Sequence, residues 1–248
     1  MTKQSCLRRN WQRALRDLIK SSQRQYLSPA IYAQYKAVIE LIRRYVHGNL
    51  IDLGCGDMPF KELLLDLVDK YDSLDLWPQS EVVTYVGDIQ NMNMIDSCAY
   101  DSAICLEVLE HVPNPQQAII EMHRILKPSG ILIVSVPHLS RIHDIPHDYF
   151  RFTLYGLIHL LRSGGFDIID IRVKGGIFSF LGHQISTAII GGCWGISVLR
   201  KIVRILVKYC ITIPCYKLDK LIDFGGIFAL GYVAVAQKRA NCSKMSGI

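Results

Sequence analysis

Apolar positions along the chain change their period several times, and these changes predict an alternation of strands and helices. Short apolar runs bounded by turn residues predict strands at about 49–53, 70–76, 82–87, 100–105, 130–136 and 166–173. Apolar residues that recur every three or four positions predict helices at 58–69, 114–126 and 153–163. This order is typical of an α/β protein with a doubly wound, largely parallel sheet.

Two more helical patterns precede the first strand. One places apolar residues opposite a row of arginines, and the other extends over about 29–46. The apolar residues of the first pattern are Trp11, Leu15, Leu18 and Ile19, and the arginines are Arg8, Arg9, Arg13 and Arg16. Because this segment lacks the apolar run of a secretory signal, we expect a cytoplasmic protein.

Turn and capping residues predict where one of the core helices begins and ends. Asn114 followed by Pro115 predicts a helix start, because Asn caps helix N-termini and Pro fits the first helical position. The sequence Pro128-Ser129-Gly130 predicts the end of the same helix.

Composition narrows the class of protein without indicating a partner. The chain has 248 residues, 50% of them hydrophobic, and a formal net charge of +6, which fits one large α/β domain. Its eight cysteines include no C-x-x-C pair and have no histidine at metal-ligand spacing beside them. We therefore expect reduced thiols in the core and no metal site.

The sequence NLIDLGCGDMPF at 49–60 predicts a ligand-binding loop after the first strand. Glycine at alternate positions, Gly54 and Gly56, allows positive φ and a close approach to a ligand. A dinucleotide fingerprint would need a third glycine where this chain has Pro59, so the loop does not favour NAD. Asp52 and Asp57 would repel a pyrophosphate but suit a ligand with an ammonium or sulfonium group.

Two further acids follow the next two predicted strands. Asp75 comes 23 residues after Asp52, the spacing at which an acid reaches ribose hydroxyls, and Asp88 follows the third strand. Three acids at adjacent strand ends suit a cationic methionyl group, a ribose and an adenine amine. S-adenosylmethionine carries all three groups.

The chain resembles the class I S-adenosylmethionine-dependent methyltransferases, in the branch labelled methyltransferase type 11. The motifs that carry the resemblance are IDLGCGD (51–57), LDLW (74–77), GDI (87–89), DSAICLEVLEHVPNP (101–115) and ILKPSGILIVSVP (125–137). The resemblance implies a Rossmann-like sheet of seven strands with N-terminal helices and a helical insertion before the last strand.

The resemblance also implies which residues bind the cofactor. The glycine loop would approach the methionine portion, Asp75 would hold the ribose and Asp88 the adenine amine, while Leu106 and Glu107 would line the methionine side. The full predicted set is Asp52, Gly54, Gly56, Asp75, Leu76, Asp88, Ile89, Leu106, Glu107 and His111. The chain departs from many members at one position, where Met58 replaces a third glycine.

Some of these residues have a simpler interpretation. Asp57 is equally explained as the cap of the following helix. Glu110 and His111 are also explained as the solvated start of a helix. Asp75 is harder to explain without a ligand, because an acid that ends an apolar strand needs a partner.

The connection after the fifth strand, PHLSRIHDIPHDYFRFT, is the predicted acceptor site. It follows a strand whose end lies at the same sheet edge as the cofactor loop, and PHDYFRFT resembles a signature of glycan-pathway methyltransferases. We expect His147 as general base, His143 as second choice, and Tyr149 and Arg151 beside them. The alternatives are that these residues pin the loop, or that Arg151 binds an anionic substrate.

A nucleic-acid substrate is disfavoured by the residues after the fourth strand. Enzymes that methylate exocyclic base amines carry Asn or Asp followed by Pro-Pro and an aromatic there, whereas this chain has Cys105-Leu106-Glu107-Val108. The N-terminal arginines keep an RNA methyltransferase as an alternative. A non-catalytic binding protein of the same fold is the other alternative.

The stretch from 175 to 199 has no charged residue and is followed by a basic amphipathic pattern. On a helix, one arc would hold Arg200, Lys201, Arg204 and Lys208, and the opposite arc Val198, Leu199, Ile202, Ile205 and Leu206. A membrane span is disfavoured because 224–238 predicts a last strand that must rejoin the sheet. We expect peripheral membrane contact on the cytoplasmic face, with a lid or homodimer surface as the alternative.

These observations predict four segments: an N-terminal helical cap at 1–47, a cofactor-binding core at 48–174, a helical lid at 175–223 and the last core strand at 224–240. The predicted function is in-line methyl transfer from S-adenosylmethionine to a small-molecule, glycan or lipid-linked acceptor.

Overall fold

The computed structural model describes residues 6–18, 21, 23–78, 82–222 and 226–239, and it contains a seven-stranded sheet in the order β3-β2-β1-β4-β5-β7-β6. The strands are β1 (Asn49–Leu53), β2 (Lys70–Asp75), β3 (Tyr85–Val86), β4 (Tyr100–Leu106), β5 (Leu126–Pro137), β6 (Phe166–Lys174) and β7 (Gly231–Lys238). The pairs among β1 to β5 are parallel, and β7 is antiparallel to β5. The predicted doubly wound sheet of seven strands is confirmed.

Eight α-helices occur in the described part of the chain. They are α1 (Cys6–Asp17), α2 (Pro29–Tyr45), α3 (Lys61–Leu65), α4 (Pro115–Ile125), α5 (Leu154–Ser163), α6 (Ile177–Cys193), α7 (Leu199–Leu206) and α8 (Ile213–Leu221). Short 3-10 helices occupy Arg24–Leu27 and Leu109–His111, and a π-helical stretch, Val207–Thr212, joins α7 to α8. The helical insertion between the sixth and seventh strands is therefore present.

Capping residues explain several of these boundaries. The Asn114 side chain accepts a hydrogen bond from the Gln117 amide, as the sequence predicted for the start of α4. The helix predicted at 114–126 ends at Ile125, within one residue of the prediction, but Pro128-Ser129-Gly130, which was predicted to end it, lies inside β5. Ser129 takes a positive φ of 62°, and the pairing of β4 with β5 is irregular in the same region. A sequence that is typical of a turn therefore lies within an irregular strand.

Other boundaries differ where the local signal was weak. The helix predicted at 58–69 is limited to Lys61–Leu65, and the strand predicted at 82–87 to Tyr85–Val86. The last strand begins at Gly231, and residues 223–225 and 240, which belong to the predicted lid and last-strand segments, lie outside the described residues, as does Ile19.

The chain divides into two compact units, one formed by Met1–Ala37 with Val173–Leu230 and the other by Val38–Arg172 with Gly231–Ile248. Helix α1, the first part of α2 and the insertion therefore belong to one unit. Its apolar core contains Trp11, Ala14, Leu18, Leu27, Ile190, Trp194, Val203, Val207 and Ile211. The start of α6 is fixed by the Asp219 carboxylate, which accepts from the amides of Gly176, Phe178 and Ser179 at 2.8–2.9 Å.

The structure tests two predictions, the burial of the cysteines and the absence of a membrane span. Among the described cysteines, Cys55 and Cys105 are buried, but Cys6, Cys98 and Cys210 are exposed, so the prediction of core thiols is wrong for three of them. Within the part of the chain that the structure describes, every helix is too short or too polar to cross a bilayer.

Candidate active site at the carboxyl edge of the sheet

The register of the parallel strands brings the predicted cofactor residues to one edge. Leu53 pairs with Leu74, Asp75 with Val86, and Leu106 with Ser135, so β1 to β5 all end on the same side. The strand order reverses between β1 and β4, which is where open α/β sheets bind their ligands. The loops that follow these strands therefore form one candidate site.

The glycine loop after β1 has the backbone that the sequence predicted. Gly54 (φ 69°) and Gly56 (φ 50°) both take the left-handed conformation. A Cβ on Gly54 would lie 2.5 Å from a methyl carbon of Val108, so a side chain there is excluded, whereas a Cβ on Gly56 would meet no atom within 4 Å. The open side at Gly56 leaves space for a ligand against the backbone. Met58 also has a positive φ, 51°, and so keeps the conformation that glycine would favour there.

Asp75 holds this loop in place. One carboxylate oxygen accepts from the Gly56 amide at 2.8 Å, and the other accepts from the Trp77 amide at 2.9 Å. These two bonds provide the partner that an acid at the end of an apolar strand requires. Each carboxylate oxygen can accept a second hydrogen bond, so both remain able to bind ribose hydroxyls.

Asp52 lies one position before the end of β1 and is buried. Tyr71 of β2 donates its hydroxyl hydrogen to Asp52 Oδ2 at 3.0 Å. Burial raises the pKa of the Asp52 carboxyl to about 7, Tyr71 opposes this increase, and the negative charge of Asp75 adds to it. A cationic ligand nearby would favour the ionised form of Asp52.

Asp88 belongs to a short relay of hydrogen bonds beyond β3. Its carboxylate accepts from the backbone and side-chain amides of Gln90 at 2.8–3.2 Å, and the Gln90 carbonyl oxygen accepts from the Asn114 amide at 2.9 Å. The neighbouring Ile89 is buried, whereas Leu76 at the end of β2 is exposed. Gln90 therefore fixes the orientation of the acid predicted to accept from the adenine amine.

Glu107 directly follows Leu106 at the end of β4 and has a positive φ of 57°. Its amide donates to the Ser135 carbonyl at 2.9 Å, and its carboxylate accepts from the Ser135 hydroxyl. A non-glycine residue with this φ is uncommon. Glu107 is thus held by both backbone and side-chain contacts with β5.

The 3-10 helix after β4 corrects the interpretation of Glu110 and His111 as a solvated helix start. The Glu110 side chain has 0% exposure, and the Glu110 carbonyl accepts from the amides of Tyr149 and Phe150 at 2.8 and 3.2 Å. His111 retains 20% side-chain exposure. In the loop after β1, the N-cap position of α3 is occupied by Phe60, so Asp57 is not the N-cap residue of this helix.

Arg151 and Asp148 form a partly buried ion pair that organises the loop after β5. The Arg151 Nη1 atom lies 2.6 Å from Asp148 Oδ1, and this hydrogen bond lowers the pKa of the Asp148 carboxyl to about 2. All five N–H donors of Arg151 have protein acceptors: Asp148 receives two, and the carbonyls of Ser140, Arg141 and Phe150 receive one each. This geometry favours the alternative that Arg151 pins the loop.

His147 and Tyr149 are both exposed in the same loop. The His147 Nδ1 atom lies 3.1 Å from the Tyr149 hydroxyl, and the His147 ring centroid lies 5.3 Å from that of Trp77. Trp77 lies two residues after Asp75, the last residue of β2, so the acceptor loop reaches from β5 to the end of β2. His147 therefore lies beside Trp77, whose amide donates to Asp75. Its role as a base stays a prediction.

Four supporting residues were missed by the sequence: Tyr71, Trp77, Gln90 and Ser135. Trp77 was in a motif that carried the resemblance, and Gln90 directly follows one, so proximity to a motif was an available signal. Tyr71 and Ser135 act across the sheet, which only the strand register reveals.

Comparisons with known proteins found similarity to methyltransferases. Residues 51–134 match the family model described as a methyltransferase domain. The chain is 23% identical over 156 residues to a ubiquinone biosynthesis O-methyltransferase of Burkholderia thailandensis, covering 50% of this chain and 66% of the relative. A Xanthomonas oryzae protein of the same name is 28% identical over 101 residues. The chain spans only 42% to 66% of the length of these relatives.

Solved structures share the fold at low sequence identity. A 1,6-didemethyltoxoflavin-N1-methyltransferase of Burkholderia thailandensis, solved with S-adenosylhomocysteine, has a TM-score of 0.52 at 16% identity and covers 85% of this chain and 78% of its own. The cyclase SpnF has a TM-score of 0.57 at 18% identity, with 83% and 82% covered. Residues 51–134 therefore match a methyltransferase domain, and the chain has the fold of class I S-adenosylmethionine-dependent methyltransferases.

Proposed function

We propose that the protein transfers the methyl group of S-adenosylmethionine to a small-molecule, glycan or lipid-linked acceptor. The observation that carries the proposal is the single edge at which the open glycine loop, Asp75, Asp88 and the β4 end meet. The carboxylate of Asp75 has two oxygens placed beside the loop, which suits a ribose diol. Asp52 adds a buried carboxyl near the same loop, and a sulfonium there would favour its ionised form.

The acceptor would bind beneath the loop 138–152. Methyl transfer from a sulfonium is an in-line displacement, so alignment contributes most and a base is needed only for a hydroxyl or ammonium acceptor. His147 would serve as that base, since it is exposed and lies beside Trp77 at the cofactor edge. Tyr149 would orient the imidazole through its hydroxyl, while Arg151 would support the loop.

Support for a hydroxyl acceptor comes from the relatives named as O-methyltransferases. Support for an amphiphilic acceptor comes from α7 and its flanks, where Val198, Ile202 and Ile205 are exposed beside Lys201 and Arg204. An exposed apolar stripe flanked by basic residues suits the interface of an anionic membrane. We therefore propose that this helix contacts the membrane that carries or delivers the acceptor.

The test is an untargeted assay with purified protein. Metabolite, lipid and RNA extracts would be incubated separately with S-adenosylmethionine bearing a deuterated methyl group, and mass spectrometry would search for products carrying the label. We expect a labelled small molecule or lipid with wild-type protein and a yield lower by ~10²–10⁴ with His147→Ala. Label that enters only RNA would favour the alternative substrate, and absence of any label from all extracts would contradict the proposal.

A further inference from the structure

Three side chains that could together bind a metal ion meet beside the acceptor loop. Glu110 and His111 lie in the 3-10 helix after β4, and His143 lies in the loop after β5. The two histidine Nε2 atoms lie 3.7 and 3.9 Å from the same atom, Glu110 Oε1. The three ligand atoms lie within 4.8 Å of one another. The prediction of no metal site rested on the spacing of the cysteines and did not consider these three residues, of which Glu110 and His143 are 33 positions apart in the sequence.

The hydrogen bond of His111 fixes which ring nitrogen has a lone pair. The Nδ1 atom of His111 lies 2.5 Å from the carbonyl oxygen of His147. A carbonyl oxygen only accepts, so Nδ1 carries the hydrogen and a neutral ring has its lone pair on Nε2. That lone pair belongs to the nitrogen nearest the Glu110 carboxylate.

The same argument applies to His143. Its Nδ1 atom lies 3.2 Å from the carbonyl oxygen of Arg141, so Nδ1 again carries the hydrogen. Arg151 Nη2 lies 3.5 Å from this nitrogen, but its two hydrogens go to Arg141 O at 2.7 Å and Asp148 Oδ2 at 2.8 Å. Arg151 therefore does not compete for the role of donor. The free lone pair of His143 is also on Nε2.

When both rings are neutral, two lone pairs and a carboxylate thus converge on one point, an arrangement that a cation at its centre would stabilise. We propose that Glu110, His111 and His143 bind a divalent transition-metal ion. Metal-bound histidines in proteins donate their other N–H to a carbonyl or carboxylate, as both histidines do here. Ligand atoms bound tetrahedrally at about 2.0–2.2 Å lie roughly 3.3–3.6 Å apart. The two distances to Glu110 would need to shorten by a few tenths of an ångström, and the widest separation of up to 4.8 Å would need to shorten by about 1.2–1.5 Å, for the ion to bind all three side chains.

The ligand set indicates the class of metal. Two imidazoles and one carboxylate suit zinc, iron, cobalt or nickel in preference to magnesium or calcium, which favour oxygen ligands. The Asp144 carboxylate lies 3.9 Å from His111 Nε2 with 70% side-chain exposure, so it or water supplies a further ligand. The bound ion would join the turn after β4 to the loop 138–152. The proposal does not depend on methyl transfer.

Cobalt(II) is the probe of choice, since its absorption spectrum reports both binding and ligand type. Protein freed of metal by chelator dialysis would be titrated with Co²⁺ and then with Zn²⁺ as competitor. We expect one equivalent to bind with visible ligand-field bands and without the near-ultraviolet thiolate band that cysteine ligation produces. His143→Ala should weaken binding by more than ~100-fold, since even residues outside the ligand shell contribute 10–100-fold.

The matched control is His159→Ala, because His159 is exposed on α5 and outside the cluster. It should bind Co²⁺ as wild type does. His143 has 34% side-chain exposure, so its removal is compatible with folding, which circular dichroism would verify. Hydrogen exchange in 138–152 should slow when Zn²⁺ is added to wild type and stay unchanged in His143→Ala. Equal Co²⁺ affinity of wild type and His143→Ala, or no binding to wild type, would overturn the proposal.

Discussion

Asp75→Asn is the substitution that separates loop support from cofactor binding. The carboxylate of Asp75 accepts from two amides, those of Gly56 and Trp77, through different oxygens. An amide of the same shape has one oxygen, so its NH₂ group must face one of the two N–H donors. The variant therefore loses one charge-assisted bond and weakens the other.

The expected magnitude follows from these two bonds. Hydrogen bonds to charged groups contribute about 1.5–3 kcal/mol each, but these amides are partly accessible to water, so we expect a loss of about 1–2 kcal/mol in the free energy of unfolding. If the ribose hydroxyls also bind Asp75, the binding free energy falls by a further ~1–3 kcal/mol. At 1.4 kcal/mol per factor of ten, the dissociation constant of S-adenosylhomocysteine should rise by roughly 5–150-fold.

Urea denaturation and titration calorimetry at one pH measure the two quantities separately. Asp101→Asn is the matched control, because Asp101 also accepts from a backbone amide, that of Asn49, and pairs with Lys127 near the amino ends of β1 and β4. It should lower stability and leave cofactor affinity unchanged. A folded Asp75→Asn variant with wild-type affinity would refute the assignment of Asp75 to the ribose.

Three further predictions concern pH, stability and membranes. Burial raises the pKa of Asp52 to about 7, above its unfolded value of about 3.9. The stability that Asp52 contributes is therefore complete below about pH 4 and is lost as the pH rises through 7. The free energy of unfolding of Asp52→Asn, measured by urea denaturation, should vary less with pH than that of wild type, and parallel profiles would contradict this. The hydrogen bond from its arginine partner lowers the pKa of Glu121. Glu121→Gln should therefore lower the free energy of unfolding by about 1–3 kcal/mol at pH 7, and by progressively less as the pH falls through the lowered pKa. Equal losses at pH 7 and pH 2 would contradict this prediction. Replacing Ile202 and Ile205 by Ser should reduce flotation with anionic vesicles, whereas Tyr155→Ser, at a residue 79% exposed on α5, should not; wild-type protein that never floats would favour a lid or dimer surface.

The strand ends were predictable from sequence because their signal is local. An apolar run followed by an acid or glycine marks the carboxyl end of a parallel strand, and Gly54, Asp75 and Asp88 all follow that rule. The residues that support them were not predictable. Tyr71 reaches Asp52 only because β1 and β2 pair in one register.

Burial of charged residues was the main source of error. Glu110 follows a buried strand and precedes a helix, a context that favours solvent, yet two amides from the loop after β5 bind its carbonyl and its side chain is buried. Arg151 looked available to a substrate because one ion-pair partner was visible in sequence, while three backbone acceptors come from the folded loop. Contacts of this kind depend on loop conformation, which residue spacing does not encode.

The sequence also did not predict which face of α7 is buried. The predicted arcs of basic and apolar residues are present, but Val203 and Val207 pack into the helical unit while Ile202 and Ile205 are exposed. A helical periodicity identifies which residues share a face and does not identify the face that finds a partner.

The central claim is that the glycine loop binds S-adenosylmethionine and not a dinucleotide. Titration calorimetry of wild-type protein with S-adenosylhomocysteine, compared with NAD at the same concentrations, tests it most directly. We predict one bound S-adenosylhomocysteine per chain and no detectable heat from NAD, because Pro59 replaces the third glycine of the dinucleotide fingerprint. Binding of NAD with equal affinity, or no binding of S-adenosylhomocysteine by folded protein, would contradict it.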